Sequence, residues 1–354
     1  MVDNFLEALI LKCLQKVNGE RSISGTYHLL KGKKSSQTIQ DSHLFGINRF
    51  FGIYPNINRE ELNSVIQKFV ENGLAKKLPN NNYAVTAAGM KELEHYFKKY
   101  PFPVHVNGWD IQNTGVTFWK RLSLLIQTIS NLVRKQKGFY PIQKDPGIQK
   151  WIKNYISGQK LSRQDLGAAL LKELLPLLEE VSSQEREIFV LRLSSSKRTG
   201  LTYAQIAQQL NLEETYVYFL FVNVIHYMIT NIKSEKNLYK YLSILLEGAP
   251  VAEKPITLST HTTYQYLLNG VDKEEVARLR NLKVSTIEDH IVELALTDSH
   301  FDTSPYLQKE LEQEIASIAI SNQTRKLKEI KERLTGNASY FQIRLVLARY
   351  GEKI

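Results

Sequence analysis

Lys31, Lys33 and Lys34 stand immediately before Ser35 and Ser36. Ammonium groups next to hydroxyls at a helix start suit a phosphate, because the cations supply charge and the hydroxyls and free amides supply directed donors. The bland alternative is a basic loop kept in water. Gly32-Lys33-Lys34-Ser35 is not a nucleotide loop, since the G-x-x-x-x-G-K-[ST] pattern needs a glycine where Tyr27 stands. Lys76 and Lys77 flank a turn-rich tip, where they either meet a duplex backbone or keep a strand edge from aggregating. Lys283, Ser285 and Thr286 fall on the second helix of a helix-turn-helix spacing, the place from which phosphates and base edges are read. Glu288, Asp289 and Glu293 on that helix oppose phosphates, so DNA contact and protein docking both stay open there.

No group of residues reads as catalytic. The eight histidines are scattered, without H-x-x-x-H or H-E-x-x-H spacing, and His290 reads as a surface residue. Cys13, the single cysteine, lies among Leu9, Ile10, Leu11 and Leu14, so a buried thiol is expected and disulfide and zinc frameworks are excluded. Acidic pairs such as Glu60-Glu61 and Glu274-Glu275 fall where helix starts explain them. The expectation is a protein with no enzymatic activity, cofactor or metal.

Charge points to a polyanionic partner and to where it would sit. The net charge is +10 over 354 residues. Segment by segment it is +5 for residues 1–100, +7 for 101–160, and −1 each for 161–250 and 251–354. All the positive excess lies in the opening 160 residues. The first residues carry Asp3 and Glu7 rather than a basic leader, and no unbroken apolar run reaches membrane-spanning length. An intracellular protein without a membrane partner is expected.

The elements that must position these residues are mostly helices. Asn58 caps a stretch whose Leu62, Val65, Ile66, Phe69 and Val70 share one face, and Gly73 ends it. Extended segments 74–78 and 83–86 follow, joined by Pro79-Asn80-Asn81-Asn82. Helix followed by hairpin is the closing half of a winged helix. Trp119, Leu122, Leu125, Ile126, Ile129, Leu132 and Val133 make a second apolar stripe, with Lys120, Arg121, Arg134, Lys135 and Lys137 as solvated flanks or a nucleic-acid surface. Residues 138–147 read as a linker.

Two later segments share one spacing. Ile206-Ala207, Leu210-Asn211-Leu212 and Val217 have counterparts in Val276-Ala277, Arg280-Asn281-Leu282 and Ile287. A small residue, an apolar turn and a β-branched residue are what two steeply crossing short helices require. Thr202 with Gln205 and Asp272 with Glu275 are expected to cap the first helices, and Asn211 with Glu214 and Ser285 with Glu288 the second. Ser304-Pro305 and Ser339 with Gln342 are expected to open further helices. The helix after Asn211 offers no basic residue over Glu213 to Val222 and is apolar on every side there, so it is expected to be buried in a bundle or against a partner protein, with Tyr216, Tyr218 and Phe219 as docking side chains.

Three stretches carry family resemblances. His28 through Ser36, with Phe45-Gly46-Ile47 and Glu71-Asn72-Gly73-Leu74, resembles the winged-helix RQC domain of RecQ-type helicases. Ser182 to Met228 looks like region 4 of bacterial sigma factors. Thr263-Tyr264, Leu268, Gly270, Val276-Ala277, Arg280, Thr286-Ile287 and His290, with Ser339-Tyr340-Phe341-Gln342-Ile343-Arg344, resemble the helix-turn-helix domain at the C-termini of some RecQ-type helicases. Taken together the chain is similar to the YpbB-type proteins of Gram-positive bacteria, encoded beside a RecQ-type helicase.

The combined reading is a mainly α fold of tandem winged-helix and helix-turn-helix domains with a β-hairpin wing in the N-terminal one. Its segments are an RQC-like domain over 1–100, a basic helical connector over 101–160, a sigma region 4-like domain over 161–250 and a helicase-associated helix-turn-helix domain over 251–354. The resemblance implies a cytoplasmic, nucleoid-associated DNA-binding accessory of a RecQ-type helicase in repair or recombination. A sequence-specific transcription regulator is the alternative.

Overall fold

The computed structural model describes residues 1–136, 138–249, 256–298 and 300–350. It is mainly helical. The chain forms α1 (Phe5–Val17), α2 (Ile23–Lys31), α3 (Ser36–Leu44) and α4 (Arg59–Glu71), then strands β1 (Ala75–Lys77) and β2 (Tyr83–Val85). There follow α5 (Ala87–Lys99), α6 (Gly108–Val133), α7 (Pro146–Gly158), α8 (Arg163–Glu179), α9 (Ser183–Arg192), α10 (Tyr203–Leu210), α11 (Glu214–Ser234) and α12 (Lys240–Ser243). The last six are α13 (Leu258–Leu268), α14 (Lys273–Leu279), α15 (Val284–Thr297), α16 (Lys309–Ser321), α17 (Leu327–Arg333) and α18 (Tyr340–Tyr350).

The chain divides into two compact units that cut across the four successive segments. One comprises Met1–Leu9, Lys91–Asn107 and Ile111–Ala252; the other comprises Ile10–Met90, Gly108–Asp110 and Glu253–Ile354.

In the first unit α11 is the central helix. Phe219, Val217, Val224, Met228, Ile229 and Ile232 are fully buried, and the Phe5 ring packs tilted against Tyr216 and Phe219, at 5.2 Å and 5.0 Å between ring centroids. This helix is the single one among the described residues long and apolar enough to cross a membrane, but most of it is packed inside the unit. Its two central polar residues are also satisfied there: Asn223 donates to Glu185 and accepts the His105 amide, both at 2.6 Å, and His226 Nδ1 accepts the Asn107 amide at 2.9 Å. Tyr216 and Phe219 are therefore spent on the chain's own core, not offered to a partner, and Tyr218 is half-buried. Arg121 is likewise no solvated flank: it is 6% exposed, donates to the carbonyls of Leu245 and Glu247, and lies 4.2 Å from the Trp151 ring centre. Lys120 faces Asp145 at 3.8 Å, Arg134 and Lys135 are exposed, and Lys137 lies outside the described residues.

The second unit contains the winged element. Asn58 caps α4 by accepting the Glu60 amide, and Gly73, at φ 69°, turns the chain so that the Leu74 amide returns to the Phe69 carbonyl. The hairpin pairs Ala75 with Val85 and Lys77 with Tyr83, and Ser22 adds an isolated bridge to Asn82. Gly89 lets α5 approach the hairpin, since a Cβ there would lie 2.2 Å from the Leu74 carbonyl oxygen. Cys13 is fully buried in α1, and desolvation pushes its thiol up to about 12.

Both helix-turn-helix spacings form, and by the same device. Asn211 and Asn281 take left-handed φ values of 52° and 51°, and the Leu212 and Leu282 amides return to the Ala207 and Ala277 carbonyls at 2.9 Å. Asn211 therefore ends α10 and does not cap α11, whose cap is Glu213, accepting the amides of Thr215 and Tyr216. Ser285 does not cap α15 either: the cap position is Lys283, with no side-chain bond. Ser304-Pro305 starts no helix, because Ser304 bonds back to Asp302 and α16 begins at Lys309. The expected caps at Thr202, Asp272 and Ser339 are present.

Replacing Phe219 by alanine removes a ring at the centre of the first unit and is expected to cost about 3–5 kcal/mol. Urea unfolding followed by the near-ultraviolet signal of these aromatics checks it.

Candidate nucleic-acid interface

The basic stretch of the winged element is displayed by a helix end. Gly32, at φ 76°, closes α2 with its amide on Leu29, while the Lys33 amide returns to His28; the reversal throws Lys33 and Lys34 out as exposed side chains. Lys31 donates to the Tyr27 hydroxyl at 2.9 Å and stands 5.2 Å from that ring's centre. Arg59, the first residue of α4, stands 5.2 Å from the same ring and donates to Ser24 at 2.5 Å. The His28 ring lies 5.4 Å from Tyr27. Burial, then Lys33, Arg59 and Lys31 in that order, lower the His28 pKa from its ordinary value.

Among the described residues no carboxylate pairs with Lys31, Lys33, Lys34 or Arg59. Four permanent cations in one neighbourhood without a counter-charge attract anions, and the two that share the Tyr27 ring are held in place by it. Arg59 was not legible as part of this group. The available signal was its position, since a cation in the first helical turn opposes the helix dipole and reads as misplaced for stability alone.

The hydroxyls do not join the ammoniums as the sequence suggested. Ser35 caps α3 by accepting the Thr38 amide, and Ser36 donates to the Glu293 carboxylate at 2.7 Å. A phosphate at this corner would meet lysine and arginine only. On the wing, Lys76 and Lys77 are both exposed. The outward face of α4 carries Glu60, Glu61, Asn63, Ser64, Gln67 and Glu71, all exposed, so the cations flank a neutral-to-acidic helix and do not run along it.

In the C-terminal helix pair, Lys283 and Ser285 are exposed at the start of α15 and Thr286 is half-buried. The residues that carry the helicase-type resemblance lie deeper. Thr263 and His290 are buried with Thr263 Oγ1 and His290 Nδ1 2.7 Å apart, and Arg280 donates to Thr263 and to the Ser259 carbonyl. His290 is thus an internal hydrogen-bonding residue holding α13 against α15, and no surface group. Among the described residues no group of three His, Cys, Asp or Glu side chains could hold a metal ion.

The family model of a helix-turn-helix domain matches residues 259–347, which take in this network and both helices of the pair. Protein YpbB of Bacillus subtilis (strain 168) is 36% identical over 350 residues, covering 98% of this chain and 97% of that protein. The chain belongs to the YpbB family. No solved structure matches it. For this YpbB-family chain the helix-turn-helix domain suggests DNA binding, the common use of the fold. The N-terminal cation group lies outside the matched residues and rests on its own geometry.

His43, His226 and His290 are held neutral by burial, which lowers them to about 4, about 3 and about 4. On unfolding, each regains an ordinary value near 6.5 and takes up a proton. Stability is therefore full above that value and is lost as pH falls toward 4, by up to about 1.4 kcal/mol per pH unit for each ring. Denaturant midpoints between pH 7.5 and 4.5 are expected to decline accordingly, and a flat profile would contradict the neutral buried rings.

Proposed function

We propose that this chain is a non-catalytic, cytoplasmic DNA-binding accessory of a RecQ-type helicase, acting in repair or recombination. The observation that carries the reading is Lys31 and Arg59 on the Tyr27 ring with Lys33 and Lys34 exposed just beyond, none paired with a carboxylate among the described residues, and Lys76 and Lys77 exposed on the hairpin. Such a group meets phosphates and not base edges, so it holds DNA without regard to sequence. On this reading residues 1–100 are an RQC-like winged helix, 101–160 a connector, 161–250 a sigma region 4-like organiser built round α11, and 251–354 the helicase-associated helix-turn-helix domain. The helicase itself enters through the resemblance of the two ends of the chain to helicase-associated domains.

Affinity for a forked DNA is expected to fall steeply with salt, and the triple variant Lys31→Ala, Lys33→Ala, Arg59→Ala to flatten the slope of log K against log salt by about 2–3. An unchanged slope removes the cation group from the interface. The helicase half of the proposal is tested separately, by co-purification of the two proteins and by unwinding of the fork with and without this chain. Absence of both association and effect leaves a DNA-binding protein without that partner. The exposed Lys283 and Ser285 favour a second reading, a sequence-specific regulator, which a footprint confined to one sequence would support.

A further inference from the structure

The outward stripe of the C-terminal recognition helix is covered by another part of the same unit. Along α15, Ser285, Asp289, Val292 and Leu296 recur at steps of four, three and four, so they lie on one face. Ser285 is exposed, but α3 and α18 pack on the rest of that face. Gln40 of α3 donates to the Asp289 carbonyl at 3.3 Å, Arg344 of α18 bonds both Gln40 and the Asp289 carboxylate, and Ser36 of α3 holds Glu293. A recognition helix reads base edges with its N-terminal residues but has to lie in the major groove, so bulk packed along its outer face keeps it from seating. In the closed arrangement only that turn is offered.

The seam has the character of a contact that separates. Its directed bonds are polar and ionic, and they sit beside apolar contacts of Leu44 with the core that holds Val292, Ile287, Ile291 and Leu294. Beside it opens a half-open pocket of about 330 Å³ lined by Arg21, Asp41, Leu44, Val292, Leu296 and Arg344, so solvent reaches the edge of the contact. The α15 acids do not by themselves bar DNA from the uncovered helix, because Glu288 pairs with Lys273 and Asp289 with Arg344, both cations of the same helical domain. On opening, the Asp289 carbonyl loses Gln40 and the Glu293 carboxylate loses Ser36, while Glu293 stays bonded to the Thr257 amide.

We propose that α3 is a removable cover, an intramolecular inhibitory contact that restricts the helix-turn-helix domain to its first turn until α3 swings away from α15. The proposal rests on the DNA-binding reading above. Because α3 follows directly on Lys33 and Lys34, phosphate capture by the cation group and release of the cover act on adjacent residues of one segment.

The test uses the full chain with Ser36→Ala and Gln40→Ala, which remove the α3 bonds while leaving α15, α18 and the cation group intact. A second variant, Ser36→Asp, sets a carboxylate against that of Glu293. Hydrogen exchange of the amides of residues 289–297 reports opening, and titration with duplex DNA reports affinity. Faster exchange with a several-fold gain in affinity that Lys283→Ala abolishes is the expected result. Faster exchange with unchanged or weaker binding overturns the proposal, as does exchange unaltered in both variants. If neither the wild-type chain nor the variants bind DNA, the DNA reading itself falls; if all bind equally, only the cover does.

Discussion

An asparagine held in the left-handed conformation, followed by a leucine amide that returns to an alanine carbonyl, sets the crossing of each helix pair in this protein. The turn is tight because asparagine tolerates that conformation at low cost, and the crossing is close because alanine is small. Everything larger follows from what surrounds the second helix. In the first unit it is apolar on every side, so the pair can only be a core and its neighbours wrap around it. In the second unit it is apolar on one side and polar on the other, so the pair keeps an outer face that something must cover or leave to water.

The same chain keeps its cations where burial does not consume them. Arg121 shows the opposite fate, enclosed over Trp151 with its donors on two carbonyls, whereas Lys33 and Lys34 are turned outward by a glycine and meet no acid. Tyr27 reconciles two like charges at close quarters by offering each a ring face or edge and one a hydroxyl. That arrangement repels within itself, and these cations add to the burial that lowers the His28 pKa. A polyanion would relieve the repulsion, and on that ground the group is proposed as a phosphate site.

Much of this was legible in local sequence, because local features are set by nearest neighbours. The α4 helix and its hairpin stand within a residue or two of where Asn58, Gly73 and the Pro79–Asn82 tip put them, and the two helix-turn-helix spacings, the buried Cys13 and three of the caps follow from residue type and interval. What escaped depends on partners remote in the chain. Ser36 meets Glu293 across 257 positions, a pairing that no interval announces and that turns an expected phosphate donor into a latch. His290 is internal because Thr263 and Arg280 reach it, and Tyr216 and Phe219 are internal because Phe5 does. An apolar helix states that it will be covered, but not by what. The caps at Asn211, Ser285 and Ser304 failed for a related reason: each has the right type, but another residue or a bend takes the position.

The polar make-up of the α3 seam has a consequence for how charge and shape are linked in the second unit. A helix as polar as α3 gains little from burial in itself, so its position depends on every donor and acceptor finding a partner at once. Removing one bond leaves a desolvated group and weakens the rest, which makes such a contact cooperative and easily biased. The bias available here is electrostatic, because the segment leading into α3 carries Lys33 and Lys34, and any anion drawn to them pulls on the first turn, where Ser36 holds Glu293. An aliphatic seam would be indifferent to such a pull. The protein thus places Lys33 and Lys34 next to a contact that charge can bias.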